Sequence, residues 1–384
     1  MAMANLAVPS FTFAAGVHPL DPGTEVQSIT NDELKLLEKL LESEWQSSLE
    51  VRGSAGWDDN LLLSDLARER SGFVRVGLEG MLWRPAGEQQ PVELVGFLSA
   101  NHRRMFSSGV LPADTEAFFQ GEARWRPIPS FRLSLLTQGY FIDAVLDLST
   151  ESERLATPLR NAGFCVGAGM RWEPGVHWQL EVTGSVKQSE FRLIPEDYDE
   201  GSLGIRARWQ TSETGLKLGL GVRERDRRYR DRNITTAGGR VLSGPRLRYR
   251  MPEVEVKAEE SAKWHGDWKA AMAVSGASND DNGGDYFNYR LGRIRGNLEW
   301  NRGPWEALLS LENSRYRWDL QVAGIGLDPP RRRRLERSVS LQLRRQINDH
   351  WFVFLETERE WVSANDPVEG YRRTVIFTGI GWNR

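Results

Sequence analysis

Arginine and glutamate recur at alternate positions through most of this 384-residue chain, and they fall on one phase of the alternation. Arg52, Arg75, Arg124, Arg132, Arg171, Arg206, Arg208, Arg223, Arg293 and Arg295 lie on it, joined by Lys187, Lys217, Lys269 and Arg344. Glu79, Glu122, Glu181, Glu312 and Glu356 share it. Guanidinium and carboxylate groups interleaved on one surface have two uses. They form cross-strand pairs that stiffen a wall, or they set up a transverse field across a cavity that orients polar solutes. The sequence leaves both open. No nucleophile motif, phosphate-cradling loop or paired metal ligands occur. His177, His265 and His350 each sit beside a tryptophan at a turn, which suits an interface better than a reaction. Neither an enzyme nor a cofactor or metal is expected. Asp280, Asp281 and Asp285, among Asn279, Asn282 and Gly283-Gly284, offer oxygens to calcium but lack the closing glutamate of a helical calcium loop.

The elements that carry these charges have a period of two. From Ser47 onward, apolar and polar residues alternate in runs of roughly ten to fourteen, the pattern of strands with unlike faces. Trp178, Leu180, Val182, Gly184 and Val186 oppose Gln179, Glu181, Thr183, Ser185 and Lys187; Leu216, Leu218, Leu220 and Val222 oppose Lys217, Gly219, Gly221 and Arg223. About sixteen such runs follow, centred near Val51, Val76, Gly96, Gly121, Leu135, Gly167, Val182, Ile205, Leu220, Val256, Met272, Arg293, Leu309, Leu341, Leu355 and Ile376. Every second connection is a tight turn rich in Pro, Gly, Asn or Asp, such as Glu173-Pro174-Gly175 and Asn301-Arg302-Gly303-Pro304. The others are longer and polar, among them Asp58 to Arg70, Asp226 to Pro245 and Asp319 to Arg334.

Tryptophan gives this pattern a direction. Trp83, Trp125, Trp172, Trp178, Trp209, Trp264, Trp268, Trp300, Trp305 and Trp351 flank the tight turns, and Trp382 closes the last run. A ring of indoles at one level is the girdle of a membrane interface, apolar ring inward and N–H among headgroups. Alternating strands, short turns on one side, long loops on the other and an aromatic girdle together predict an all-β, transmembrane, antiparallel up-and-down barrel of about sixteen strands over residues 46–384. A β-propeller matches the tryptophan spacing of roughly 40 residues but packs four short strands into each interval, where this chain has two long ones.

Composition agrees. With 40% hydrophobic and 27% charged residues and a mean hydropathy of -0.50, no segment approaches the roughly 18 consecutive apolar residues of a membrane-spanning helix. The net charge of -3, from 50 basic and 53 acidic side chains, offers no field for nucleic acid. A single cysteine, Cys165, forms no internal disulfide. Residues 1–45 read differently: Thr30-Asn31-Asp32-Glu33 opens an amphipathic helix with Leu34, Leu37, Leu40, Leu41 and Trp45 on one face. It is expected on the periplasmic side or in the lumen, against the barrel mouth, as a plug or as a contact for periplasmic partners. No Lys or Arg precedes the apolar stretch from Leu6 to Val17, so the basic region of a secretory signal is missing, and Met1-Ala2-Met3-Ala4 reads as replacing a removed signal.

The last run, ending Ile376-Phe377-Thr378-Gly379-Ile380-Gly381-Trp382, resembles the C-terminal strand of Gram-negative outer-membrane β-barrel proteins, although Asn383 and Arg384 follow the aromatic residue. Gly56-Trp57-Asp58-Asp59-Asn60 before Leu61-Leu62-Leu63-Ser64 is similar to the opening of several outer-membrane barrel families. The resemblance implies a bacterial outer-membrane location, contact with outer-membrane lipid and lipopolysaccharide, and recognition by the barrel-assembly machinery. With the apolar face toward lipid, the charged residues line a lumen wide enough for water. The expected function is a porin-like channel for small polar or anionic solutes. The alternatives are an export or assembly barrel for a polysaccharide or protein, and a sealed barrel anchoring a larger envelope complex. Two arginine runs, Arg223 to Arg232 and Arg331 to Arg334, are expected in or beside long outer loops, drawing anions to the mouth or pairing with lipopolysaccharide phosphates.

Overall fold

The computed structural model describes residues 45–384, apart from 67, 88–90, 147–156, 193–195, 212–214, 264 and 325–326. The strands are β1 (Gln46–Asp58), β2 (Ser71–Arg84), β3 (Val92–Met105), β4 (Ala113–Ile128), β5 (Phe131–Leu146), β6 (Thr157–Trp172), β7 (Trp178–Arg192) and β8 (Tyr198–Gln210). They continue as β9 (Lys217–Thr235), β10 (Val241–Lys263), β11 (Asp267–Asp281), β12 (Tyr289–Arg302), β13 (Trp305–Val322), β14 (Arg331–Gln346), β15 (Trp351–Ala364) and β16 (Tyr371–Asn383). Each pairs antiparallel with its neighbours in sequence, and β1 pairs with β16, so the sheet closes into a barrel of sixteen strands. All sixteen expected centres fall within these strands. The fold is the one the alternation predicts, and its even-to-odd connections are the short ones. Between β12 and β13 the turn is Gly303-Pro304, where Gly303 takes φ +53°, a conformation that favours glycine.

The two faces separate by exposure. Outward residues such as Leu218, Leu220 and Val222 on β9, or Ile376 and Ile380 on β16, are exposed hydrophobics. On the inner phase, side chains reach across strands that are not neighbours: Arg344 of β14 meets Glu50 of β1 at 2.9 Å, over β15 and β16. Only the concave side of a cylinder brings such groups together, which fixes the charged phase as the lumen. From Trp172 to Ala162 the outward residues of β6 are Trp172, Met170, Ala168, Val166, Phe164 and Ala162. Ten residue steps at ~3.4 Å and a tilt of ~40° cover about 26 Å, the height of an apolar band in a membrane barrel.

Beyond this band, on the long-loop side, polarity inverts while the phase is kept. On β9 the outward row passes from Leu220 and Val222 to Asp226, Arg228 and Arg230, and the inward row from Lys217 and Arg223 to the buried Tyr229. On β13 Leu309 and Leu311 give way to Arg315 and Arg317 outside, and Glu312 to the buried Tyr316 and Trp318 inside. The upper barrel is built like a water-soluble one, with its core inside.

This inversion corrects the expected outer loops. The connection expected from Asp226 to Pro245 is mostly strand, because β9 and β10 run on to a turn at 236–240. The Arg223–Arg232 run is therefore wall, with Arg223, Arg225 and Arg227 inward and Arg228 and Arg230 outward. Likewise Arg331 and Arg333 face out while Arg332 and Arg334 are buried inside. The amphipathic helix of residues 30–45, the remainder of the N-terminal unit before Trp45, and Trp264 lie outside the described residues.

Candidate functional site

Every luminal residue named from sequence lies on the inner phase of its strand, but the structure sorts them into two populations. The first is caged. Arg52 pairs with Glu50, its guanidinium lies 3.3 Å from Glu79 and 3.6 Å from Glu356, and Arg344 reaches Glu50 from the other side. Arg124 holds Glu122 at 2.6 Å and Glu93 at 3.1 Å. Arg295 and Arg206 share Glu255 at 2.5 and 3.6 Å, Arg293 meets Glu312 at 3.2 Å, and Arg171 meets Glu181 at 3.7 Å. Four of these contacts, Arg52 with Glu356, Arg344 with Glu50, and Arg295 and Arg206 with Glu255, tie strands that share no backbone hydrogen bonds.

The second population makes no direct ion pair among the described residues, although Lys217 stands opposite Glu259 and Arg223 opposite Glu253 on β10. Arg132 on β5, Arg208 on β8, and Lys217 and Arg223 on β9 form no ion pair, and Arg75 on β2 bonds Asn101 at 3.2 Å and lies over the Phe377 ring. Register explains how the cluster fits: Arg206 stands opposite Gly221, Arg208 opposite Gly219 and Arg223 opposite Gly204. Glycine adds no side chain to the wall between β8 and β9, so each long cation lies against bare backbone on that side, while Glu253, Glu255 and Glu259 stand on β10 beyond. Arg206, Arg208, Lys217 and Lys257 line one shallow recess with Glu255 and Glu259. The Arg206 side chain is 41% exposed, so this stretch of lumen is open to solvent.

Toward the long-loop side the lumen is bordered by a collar that sequence reading missed. Phe191, Tyr198, Tyr229, Tyr249 and Phe287 touch in series, with ring centroids 6.3, 5.8, 5.4 and 6.2 Å apart. Tyr289, Tyr316 and Trp318 form a second group at 5.6 to 5.9 Å. Guanidinium groups cap them: Arg227 over Tyr198 at 4.2 Å, Arg232 over Tyr229 at 4.8 Å, Arg332 over Trp318 at 4.2 Å. Each of these arginines is bound to a carboxylate, Glu200 at 2.7 Å, Glu196 at 2.8 Å and Glu369 at 2.5 Å respectively. Burial holds the Glu369 carboxyl above the ordinary carboxylate range, against the pull of Arg332. On the opposite arc, Leu61, Phe73, Met105, Leu111 and Val375 pack beside Asp58, which is fully buried between Arg103 at 3.0 Å and Arg373 at 2.7 Å. A sequence signal existed, since Leu247, Tyr249 and Met251 alternate like a strand directly after the stretch from Asp226 to Pro245 that reads as loop.

Of the eleven girdle residues, ten lie among the described residues, and nine of these, Trp125, Trp172, Trp178, Trp209, Trp268, Trp300, Trp305, Trp351 and Trp382, take the outward phase. Trp83 does not. Its register places it inward with Glu79 and Met81, and its indole donates to Glu93 at 3.1 Å. Proximity to the Arg84-Pro85 turn suggested the interface, whereas the alternation through Val74, Val76 and Leu82 already assigns Trp83 to the lumen. Asp281, weighed as a calcium ligand, accepts backbone N–H groups of Gly283 and Phe287 at 2.6 Å and of Asp285 at 3.1 Å, so it shapes its own turn. His177 and His350 hydrogen-bond the carbonyls of Gln210 and Asn383.

No protein-family model matches the sequence, and no curated protein matches it. Among solved structures it is similar to a bacterial polysaccharide outer membrane secretin at 11% identity and a TM-score of 0.43, covering 88% of this chain and 97% of that one. It is similar to OccK8 (OprE) of Pseudomonas aeruginosa at 11% identity and 0.45, covering 89% and 98%. For OccD3 (OpdP) of the same organism the values are 9% and 0.46, covering 88% and 91%. Scores this low carry no argument about function, which rests on the barrel's own geometry.

Proposed function

We propose that this chain is a porin-like channel of the bacterial outer membrane for small polar or anionic solutes. The observation that carries the reading is the set of luminal cations that make no direct ion pair among the described residues, Arg132, Arg208, Lys217 and Arg223, on one wall of a sixteen-strand barrel. The facing arc, β14 to β2, is lined by Glu356, Glu358, Glu50 and Glu79 around caged arginines. A solute in the lumen meets positive potential on one side and a near-neutral, acid-rich wall on the other, which favours anions and turns dipoles across the pore. The aromatic collar supports a narrow rather than a wide passage.

The test is single-channel conductance of the refolded protein in a planar bilayer under a potassium chloride gradient. Steady openings with a reversal potential on the chloride side support the reading. Silence would favour the sealed barrel, for which the caged network and the collar are the specific observations.

A further inference from the structure

On the outer wall, at the level where polarity inverts, the two halves of the barrel handle arginine differently. On β8 to β10 most outward arginines are neutralised by outward acids: Arg230 meets Asp199 at 2.5 Å, Arg248 bonds Asp226 at 2.8 Å, and Arg250 pairs with Glu224, with Arg246 bonding Asn233 instead. On β12 to β16 they are not. Arg290, Arg317 and Arg333 stand directly opposite one another across three strands. Next to them, Arg337, Trp361 and Arg372 form a second row across β14, β15 and β16. None of these five arginines forms an ion pair among the described residues, all are exposed, and Asp319 is the sole carboxylate on the outward phase of these strands. Like charges directly opposite on a sheet face destabilise it, so a row of three guanidinium groups calls for an external anion. Below them lies the apolar wall, where Ile294, Leu311, Leu355 and Ile376 are exposed.

We infer that this face binds a phosphorylated, acylated glycolipid of the lipopolysaccharide class, in the leaflet on the long-loop side. The guanidinium rows take its phosphates in bidentate hydrogen bonds, and the wall beneath takes its acyl chains. The assignment rests on the membrane-spanning reading above but not on conduction. The reach of one phosphate group matches two arginines on adjacent strands, whose Cβ atoms are about 5 Å apart. Arg290, Arg317 and Arg333 therefore offer two such clefts side by side, which suits a headgroup carrying two phosphates better than one carrying a single phosphate.

The test is native mass spectrometry of the refolded full chain with lipid A, with lipid A stripped of phosphate, and with phosphatidylethanolamine. The inference expects lipid A retained at least tenfold better than either of the others. The R290Q/R317Q/R333Q variant should lose that preference while keeping wild-type conductance. R248Q, on the self-neutralised side, should keep it. Equal retention of the dephosphorylated lipid, or undiminished retention by the triple variant, overturns the inference. Because conductance is recorded on the same samples, failure of the lipid surface and failure of the channel reading are told apart.

Discussion

Neutralising the uncaged luminal cations in an R208Q/K217Q/R223Q variant separates a selective wall from a merely stiff one. A chloride ion passing about 6 Å from one of these groups gains roughly 0.7 kcal/mol in a water-like dielectric, or about threefold in occupancy. The three do not act independently, and screening over a Debye length of ~10 Å at 0.1 M salt trims their sum. The chloride-to-potassium permeability ratio should therefore fall by about three- to tenfold, read as a shift of the reversal potential across a potassium chloride gradient in planar bilayers. None of the three forms a direct ion pair among the described residues; Arg208 and Arg223 face glycines on one side, and Lys217 and Arg223 stand opposite Glu259 and Glu253 on the other. Their removal should therefore cost at most about 1 kcal/mol per facing acid. Low salt should enlarge the effect and molar salt erase it. An unchanged permeability ratio with intact conductance would refute the argument, because it would mean that these cations do not face the conducting path.

Three further outcomes follow from the packing. Asp58→Ala leaves Arg373 without the carboxylate that grips it, while Arg103 keeps Asp114, so urea unfolding followed by tryptophan fluorescence should show a loss of about 3–5 kcal/mol; a loss below about 1 kcal/mol would count against the pairing. Gly381 lies under the Phe352 ring, and a Cβ there would collide with it, so Gly381→Leu should cost about 1–3 kcal/mol where Gly276→Leu, facing open space, should not. The Glu369 carboxyl binds its proton above the ordinary value of 4.5 in the folded state. The folded barrel then holds more protons than the unfolded chain between that value and its own, and this group's contribution to stability falls as pH rises through the window. E369Q should flatten that part of the stability–pH curve; an unaltered curve would contradict it.

Most of the fold was legible in the sequence because one physical rule, lipid outside and water inside, runs through every strand of the apolar band. Where the rule inverts, reading failed. In the segment from Asp226 to Pro245 both phases carry arginine and acid, so the alternation of Tyr229 with Arg228 and Arg230 had no apolar stripe to reveal it. The same loss hid the collar, whose rings come from different strands and meet only after closure. The luminal phase was readable residue by residue. Which cations are caged was not, since the cage of Arg52 draws Glu356 from a strand some three hundred positions away. Trp83 shows the opposite error, a phase that could be counted being overridden by a turn close at hand.

The seam between β1 and β16 differs in kind from the other fifteen pairings. Each of those joins strands adjacent in sequence and can zip as a hairpin, closing a short loop at small entropic expense. Leu49 and Arg384 instead exchange backbone hydrogen bonds at 3.1 and 2.9 Å, and Asp58 grips Arg373 across 315 positions. The ring is thus completed by its most non-local contact, which places closure late in folding. Until then the two unpaired edges are open to any neighbouring strand. Lesions at the seam should therefore yield curved open sheets that aggregate rather than channels that merely leak.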